Sequence, residues 1–252
     1  MFEEERQIRI MNELAEHRSM SASQLAEILH VSGSTVRRDL TRMEAHGLVQ
    51  RTHGGVMIVE DVNNTLNYTL RSSHNAAQKL QIARCAAKQI RDGETVLLTS
   101  SSITSLIPKF LTARNITVIT NSLTIGEELR DRSSCVLVLL GGTYLRNAQT
   151  IEGPTTVSQL QSMKYDKAFL GVNGVDLEFG LSTASELEAA TKIAAIGQAK
   201  LTYCLCEHTK FGKTALYKLC PLADIHCIIT DQGLPQEQRS AFEDAAQLLY
   251  AP

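Results

Sequence analysis

Long apolar runs are missing from this sequence. None approaches the roughly 20 residues that a membrane-spanning helix requires, so no membrane partner is expected. A basic, apolar leader is missing too. The chain starts Met1-Phe2-Glu3-Glu4-Glu5-Arg6, which is acidic, and a cytoplasmic location is the expectation. Positive charge is nowhere in excess: the formal net charge is −2, and residues 1–57 hold seven arginines against eight acids. That excludes nucleic-acid binding by bulk charge alone and sets phosphate attraction and salt dependence at a moderate level for one such domain. Metal-ligand spacing is absent as well. The six cysteines, Cys85, Cys135, Cys204, Cys206, Cys220 and Cys227, all lie after residue 57 and mostly in apolar, strand-like runs. Cys204 and Cys206 are expected to point to opposite faces of a strand, a poor chelate, so the thiols are read as buried and neither a metal nor a cofactor is expected. No internal repeat or low-complexity tract interrupts the chain.

What is present is an ordinary globular composition, 252 residues with 43% apolar and 21% charged content, enough for a small domain and a larger one. The stretch Ser32 to Gly47 organises the first. Ser32 is a good N-cap, Val36, Leu40 and Met43 recur at helical spacing, and Gly47 is a natural stop. With those three residues fixing the buried direction, Ser34, Arg38 and Thr41 point outward, flanked by Arg37 and Arg42. Short hydroxyls and arginines on one exposed stripe suit a helix that reads the major groove, where arginine bonds guanine bidentately and Ser or Thr reaches phosphates or base edges. A merely solvated charged face would look the same in isolation. The surroundings favour the groove. Helices are expected from Glu3 to Glu16 (Ile8, Met11, Leu14, Ala15) and after Ser21 or Ser23 (Leu25, Ala26, Ile28, Leu29), then a turn at His30-Val31-Ser32. Two helices, a short turn and an arginine-bearing third helix make the helix-turn-helix order. Two β-prone runs around His53-Gly54-Gly55 read as a wing.

Arg6, Ile10 and Leu14, then Ser32, Thr35, Val36, Arg37, Arg38, Asp39 and Leu40, resemble the signature of DeoR-type bacterial repressors, and the His53-Gly54-Gly55 wing is similar to theirs. The resemblance implies operator DNA as partner, with Ser32, Ser34, Thr35, Arg37, Arg38, Thr41, Arg42, Arg51, His53 and Gly54 as contacts. It also implies that Arg6 and Asp39 pair inside the domain and orient the reading helix. Because a single head is not basic, useful affinity calls for two or more copies, a homo-oligomer that is a dimer or tetramer.

Residues 59–73 are polar and read as a linker between a winged helix-turn-helix at 1–58 and a second domain at 74–252. In the second domain apolar strands near Thr95, Ile116, Cys135, Lys167, Leu201 and His226 alternate with helices. The expected fold is an α/β domain with a mainly parallel sheet covered by helices on both faces. Ligands of such sheets bind beyond the carboxyl ends of the strands. Those ends carry Ser100-Ser101-Ser102 ahead of a helix reaching Phe110, then Thr120-Asn121-Ser122, Gly141-Gly142 and the loop from Glu207 to Gly212. Small hydroxyls, a helix N-terminus and a lysine make a plausible phosphate-sugar rim.

Resemblance extends over this domain: DeoR-type repressors carry an effector domain similar to ribose-phosphate isomerases and sense sugar phosphates. It implies Thr99, Ser100, Ser101, Ser102, Thr120, Asn121, Ser122, Gly141, Gly142, Glu186, Lys192 and Lys210 as effector residues, with a phosphorylated sugar or related metabolite as partner. Thr99 stands where the family has an Asp, Ser101-Ser102-Ile103 where it has Gly-Thr-Thr, and Glu207 where it has another Asp. Three functions follow for comparison: a ligand-controlled repressor of a carbon-metabolism operon, an isomerase-like enzyme retaining a helix-turn-helix, and an interaction module with a vestigial pocket. The loss of a strand-end carboxylate at Thr99 removes an obvious general base and favours the non-enzymatic sensor.

Overall fold

Ile10, Met11 and Leu14 share one face of helix α1 (Glu3–His17) and are buried in the first of two compact units, Met1–His74 and Asn75–Pro252. The computed structural model describes residues 3–17, 19–45, 49–52, 55–58, 68–146 and 148–252. Strand β1 (Ser19–Met20) leads into α2 (Ala22–Ile28), which opens with a capping box. The Ser21 hydroxyl accepts from the Gln24 amide at 3.2 Å, and the Gln24 side chain accepts from the Ser21 amide at 2.8 Å. It closes with His30 in the left-handed region (φ 53°) and bonds from the Val31 amide to the Ala26 carbonyl and the His30 amide to the Glu27 carbonyl. That Schellman closure, without its usual glycine, turns the chain into α3 (Gly33–Ala45). Strands β2 (Val49–Thr52) and β3 (Gly55–Ile58) pair antiparallel as the wing, and β1 adds to β3. A Cβ at position 55 would stand 2.5 Å from the Met20 carbonyl oxygen, so this close approach of two strands requires glycine. Gly47 and the wing tip lie outside the described residues.

The expected irregular linker needs correcting at its end. Tyr68–Ser73 form a helix, α4, that touches α1, with the Ser72 hydroxyl bonded to the Tyr68 carbonyl at 2.8 Å. Its polar composition hides a helical turn that gains its stability from tertiary contact rather than propensity.

In the second unit, α5 (Ala76–Ala87) precedes β4 (Thr95–Leu98), β5 (Ile116–Thr120), α6 (Leu123–Leu129) and β6 (Cys135–Leu139). A hairpin of β7 (Thr143–Leu145) and β8 (Thr150–Glu152) follows, then α7 (Pro154–Gln161) and β9 (Tyr165–Gly171). Strands β10 (Gly174–Asp176) and β11 (Gly180–Thr183) lead to α8 (Glu186–Gln198), β12 (Ala199–Leu205), β13 (Tyr217–Cys220), β14 (Cys227–Thr230), α9 (Gln236–Ala245) and β15 (Leu248–Tyr250). Seven strands form one parallel sheet in the order β15-β14-β12-β9-β4-β5-β6, and β10, β11 and β13 form a small antiparallel sheet. One face of the large sheet buries Ile82, Ile107, Val118 and Phe169, and the other buries Leu97, Ile119, Leu160 and Ala195. Helices cover both faces, as a parallel sheet demands.

Two local expectations differ. The helix to Phe110 is a seven-residue 3₁₀ helix, Thr104–Phe110, with Pro108 inside it, where the missing amide cannot extend an α-helix. Cys204 and Cys206 lie on one side rather than opposite ones, hydrogen-bonded to each other, because residues two apart on a strand share a face. Both are buried, and that mutual bond together with burial holds the Cys204 thiol well above its ordinary value.

Candidate functional site

Helix α3 presents the expected stripe. Val36, Leu40 and Met43 are buried, whereas Ser34, Arg37, Arg38, Thr41 and Arg42 are exposed. The Ser32 hydroxyl accepts from the Thr35 amide at 3.2 Å and lies 2.9 and 2.8 Å from the Ser34 and Thr35 hydroxyls, capping the helix start. Asp39, fully buried, takes two bonds from Arg6, 2.5 Å from Nε and 3.0 Å from Nη2. This fork joins α1 to α3 from the core side and fixes which way the stripe faces. At the outer surface Arg42 pairs with Glu3, Arg51 Nε lies 3.1 Å from Glu44, and Arg51 Nη2 donates to the Thr41 hydroxyl at 2.6 Å. Arg37 and Arg38 enter no ion pair among the described residues. His53 and Gly54 lie outside the described residues.

The strand order of the large sheet reverses between β4 and β9: the chain runs outward through β5 and β6, then returns to β9 on the other side of β4. The crevice at such a switch point is where doubly wound sheets take their ligands. Here it is flanked by Ser100–Ser102 and by Gly171–Asn173. A Cβ on Gly171 would stand 2.5 Å from Ser101 Cβ, so only glycine lets the serine loop come down on β9. Ser101 caps its own loop, its hydroxyl accepting from the Thr104 amide at 3.0 Å and the Ile103 amide at 3.3 Å. The Ser100 amide donates to Asn121 Oδ1 at 2.8 Å. The helix-start amides expected to be free for an anion are therefore partly used, leaving the Ser101 and Ser102 amides and the Ser102 hydroxyl without a partner among the described residues.

Several expected effector residues stand behind the rim. Thr99 donates to the Phe169 carbonyl at 3.2 Å, Thr120 donates to the Leu98 carbonyl at 2.7 Å, and Ser122 caps α6; all three are buried. Asn121 is buried and fully engaged, donating to the Thr150 hydroxyl at 2.8 Å, the Ile151 carbonyl at 3.1 Å and Glu152 Oε1 at 3.1 Å. The Gly141 amide donates to Gln159 and its carbonyl accepts from Thr156, while Gly142 is exposed. Lys192 is buried, with Nζ 3.3 Å from Glu188 and 3.4 Å from the Thr183 hydroxyl. Glu186 is exposed at the head of α8, so the acid beside Lys192 is Glu188. Lys210 is half-buried on the turn after β12, and its ammonium enters no ion pair among the described residues.

The network contains residues that the sequence did not single out. Glu152, 2% exposed, accepts from Asn121, from Thr150 at 2.9 Å and from Thr191. Burial pushes its carboxyl up to about 7 against those hydroxyl bonds, Glu188 adding to the rise and Lys192 opposing it. Asn173 accepts from the Thr183 hydroxyl at 2.9 Å and the Ala184 amide at 3.4 Å. The signal in sequence was slight: an acid directly before Gly153-Pro154 and a Thr on an otherwise alanine-rich helix. At the neighbouring strand ends Asp231 accepts from the His208 amide at 2.8 Å, from its ring at 2.6 Å and from the Gly233 amide at 3.1 Å. Burial alone would raise the Asp231 carboxyl, and these donors bring it below the usual range.

A family model described as the DeoR C terminal sensor domain matches residues 74–232, and one described as the DeoR-like helix-turn-helix domain matches residues 6–62. The chain is similar to the HTH-type transcriptional repressor GlcR of Bacillus subtilis, 34% identical over 94% of this chain and 91% of that protein. It is also similar to the HTH-type transcriptional regulator IolR of the same organism, 31% identical over 88% of each. Among solved structures, ribose 5-phosphate isomerase A from Methanocaldococcus jannaschii aligns over 54% of this chain and 55% of its own, with TM-score 0.39 and 20% identity.

Proposed function

Because this chain belongs to the DeoR family of helix-turn-helix transcriptional regulators, we propose that it is a repressor of a carbon-metabolism operon, acting in the cytoplasm as a homo-oligomer on operator DNA and released or retained by a phosphorylated sugar. One observation carries the DNA half: α3 holds Ser34, Arg37 and Arg38 outward with the two arginines unpaired, on a helix whose orientation a buried Arg6–Asp39 fork fixes. Arg38 faces opposite the core stripe and takes base edges, while Arg37 on the flank takes phosphate. The effector's phosphate lies on the Ser101 and Ser102 amides, with Lys210 supplying positive charge, since a desolvated phosphate without a cation is costly to bury. Asn121, Lys192 and the buried hydroxyls position this rim rather than touch the ligand.

The test is a gel-shift titration against a duplex selected from a random library and against a scrambled duplex. Arg38→Ala should cost on the order of 1 to 3 kcal/mol on the selected duplex and flatten discrimination, and Arg37→Ala should weaken both duplexes and lower the salt slope by about one. Equal losses on both duplexes for both variants would refute the assignment. Turnover of a pentose or amino-sugar phosphate by the full chain would replace the sensor reading with an enzymatic one.

A further inference from the structure

Parallel sheets bury their strands on both faces, and natural sheets guard the strands left at their edges with charge, proline, shortness or a covering element. The two edges of the large sheet are treated unequally. At one end β15 is three residues long, the chain reaches Pro252 two residues later, and the Tyr250 ring lies under the Arg239 guanidinium, 4.8 Å from its centroid. At the other end β6 reads Cys-Val-Leu-Val-Leu, with no charge, no proline and no bulge. Not one of its five residues is buried; Val136 is 63% exposed and Leu139 45%. Beside it, Leu123 on α6, the helix that packs over Leu137 and Leu139, is 41% exposed. An apolar strand in that position has both side-chain surface and outward-facing main-chain donors and acceptors to satisfy.

We propose that β6 is the seam at which a second copy of this chain docks, strand against strand and antiparallel, extending the sheet across a two-fold axis. Charge selects this occupant. Centred on Leu137, the pairing sets Cys135 against Leu139 of the partner subunit and Val136 against Val138 of the partner subunit. Apolar thus meets apolar and no like charges oppose each other. An acidic or basic peptide would find nothing on β6 to meet its charge. The seam gives a surface to the oligomer in the reading above, and it stands on the sheet edge whatever the chain regulates.

The experiment is light-scattering mass determination on the full chain, wild type beside Val136→Lys and Val136→Ala, with far-UV circular dichroism on each. Position 136 is largely exposed, so lysine fits the protomer but puts like charges across the seam. The expected result is an oligomeric wild type, a Val136→Lys variant of half its mass with an unchanged spectrum, and an Ala variant of wild-type mass. Amide exchange on the wild type should show Val136–Leu139 protection that rises with protein concentration. A wild type that is monomeric at tens of micromolar, or a Lys variant that keeps the full mass, would overturn the seam. In a gel shift the Lys variant should lose at least tenfold in affinity for the selected duplex as two-headed binding is lost. Mass reports the seam and duplex binding reports the regulator, so the two readings fail separately.

Discussion

Arg6 and Asp39 lie 33 residues apart in sequence and form a two-bond ionic fork inside a small core, with neither residue more than 7% exposed. Such a pair adds little net stability over an apolar replacement, but removing one partner leaves the other charge buried and alone. Asp39→Ala should therefore destabilise the first unit by about 3 to 5 kcal/mol. Urea unfolding followed by circular dichroism would detect that loss, and gel shift should show duplex binding failing with it. The exposed pairs Arg42–Glu3 and Arg51–Glu44 differ in kind. Each is worth at most about 1 kcal/mol and is weakened by salt, so both arginines remain free to exchange an acid for a phosphate when DNA arrives.

The β7–β8 hairpin brings Glu152 into contact with the end of β5, through Asn121, and with α8, through Thr191. A carboxyl raised from 4.5 to about 7 binds a proton in the folded state that the unfolded chain has released. Its contribution is fully present below about pH 4.5 and is lost as pH rises through about 7, a change of roughly 3 kcal/mol. Glu152→Gln should flatten the fall in stability between pH 5 and pH 8, which denaturant titrations at stepped pH would show; an unchanged slope would assign it to other groups. Three-residue strands of this kind were not legible in the sequence, because β7, β8, β10 and β11 are too short to show a period and are set by register with distant partners. The reading helix was legible because its cap, stripe and arginines are all local to Ser32–Ala45. The rim was half legible. Ser100–Ser102 and Thr120–Ser122 are turn residues at strand ends, but which of them are buried depends on Phe169, Thr150 and Glu152, 29 to 70 residues away. The expected pairing of Glu186 with Lys192 missed by two residues because helical phase alone did not show which side of α8 faces the sheet.

For the whole molecule, a ligand can change DNA affinity only by binding two arrangements of the chain unequally, and the coupling is reciprocal. Saturating duplex should shift the dissociation constant of a cognate phosphosugar by the same factor by which that sugar shifts the duplex's. Lys210→Ala should weaken sugar binding while leaving sugar-free duplex binding near wild type. Calorimetry and gel shift on that variant check both halves, and a parallel loss of duplex binding would assign Lys210 to folding or assembly. The reversal of strand order between β4 and β9 has a further consequence, in time rather than space. Leu98 pairs with Phe169, so the central strand waits for 71 more residues before its second neighbour exists. At the usual ~5–20 residues per second of synthesis, β4 spends about 4 to 14 seconds outside the ribosome with one flank open. During that interval β4, β5 and β6 stand as a three-stranded parallel fragment with two apolar edges. The nascent chain is then most exposed to mispairing with its neighbours on a polysome, and most in need of a chaperone.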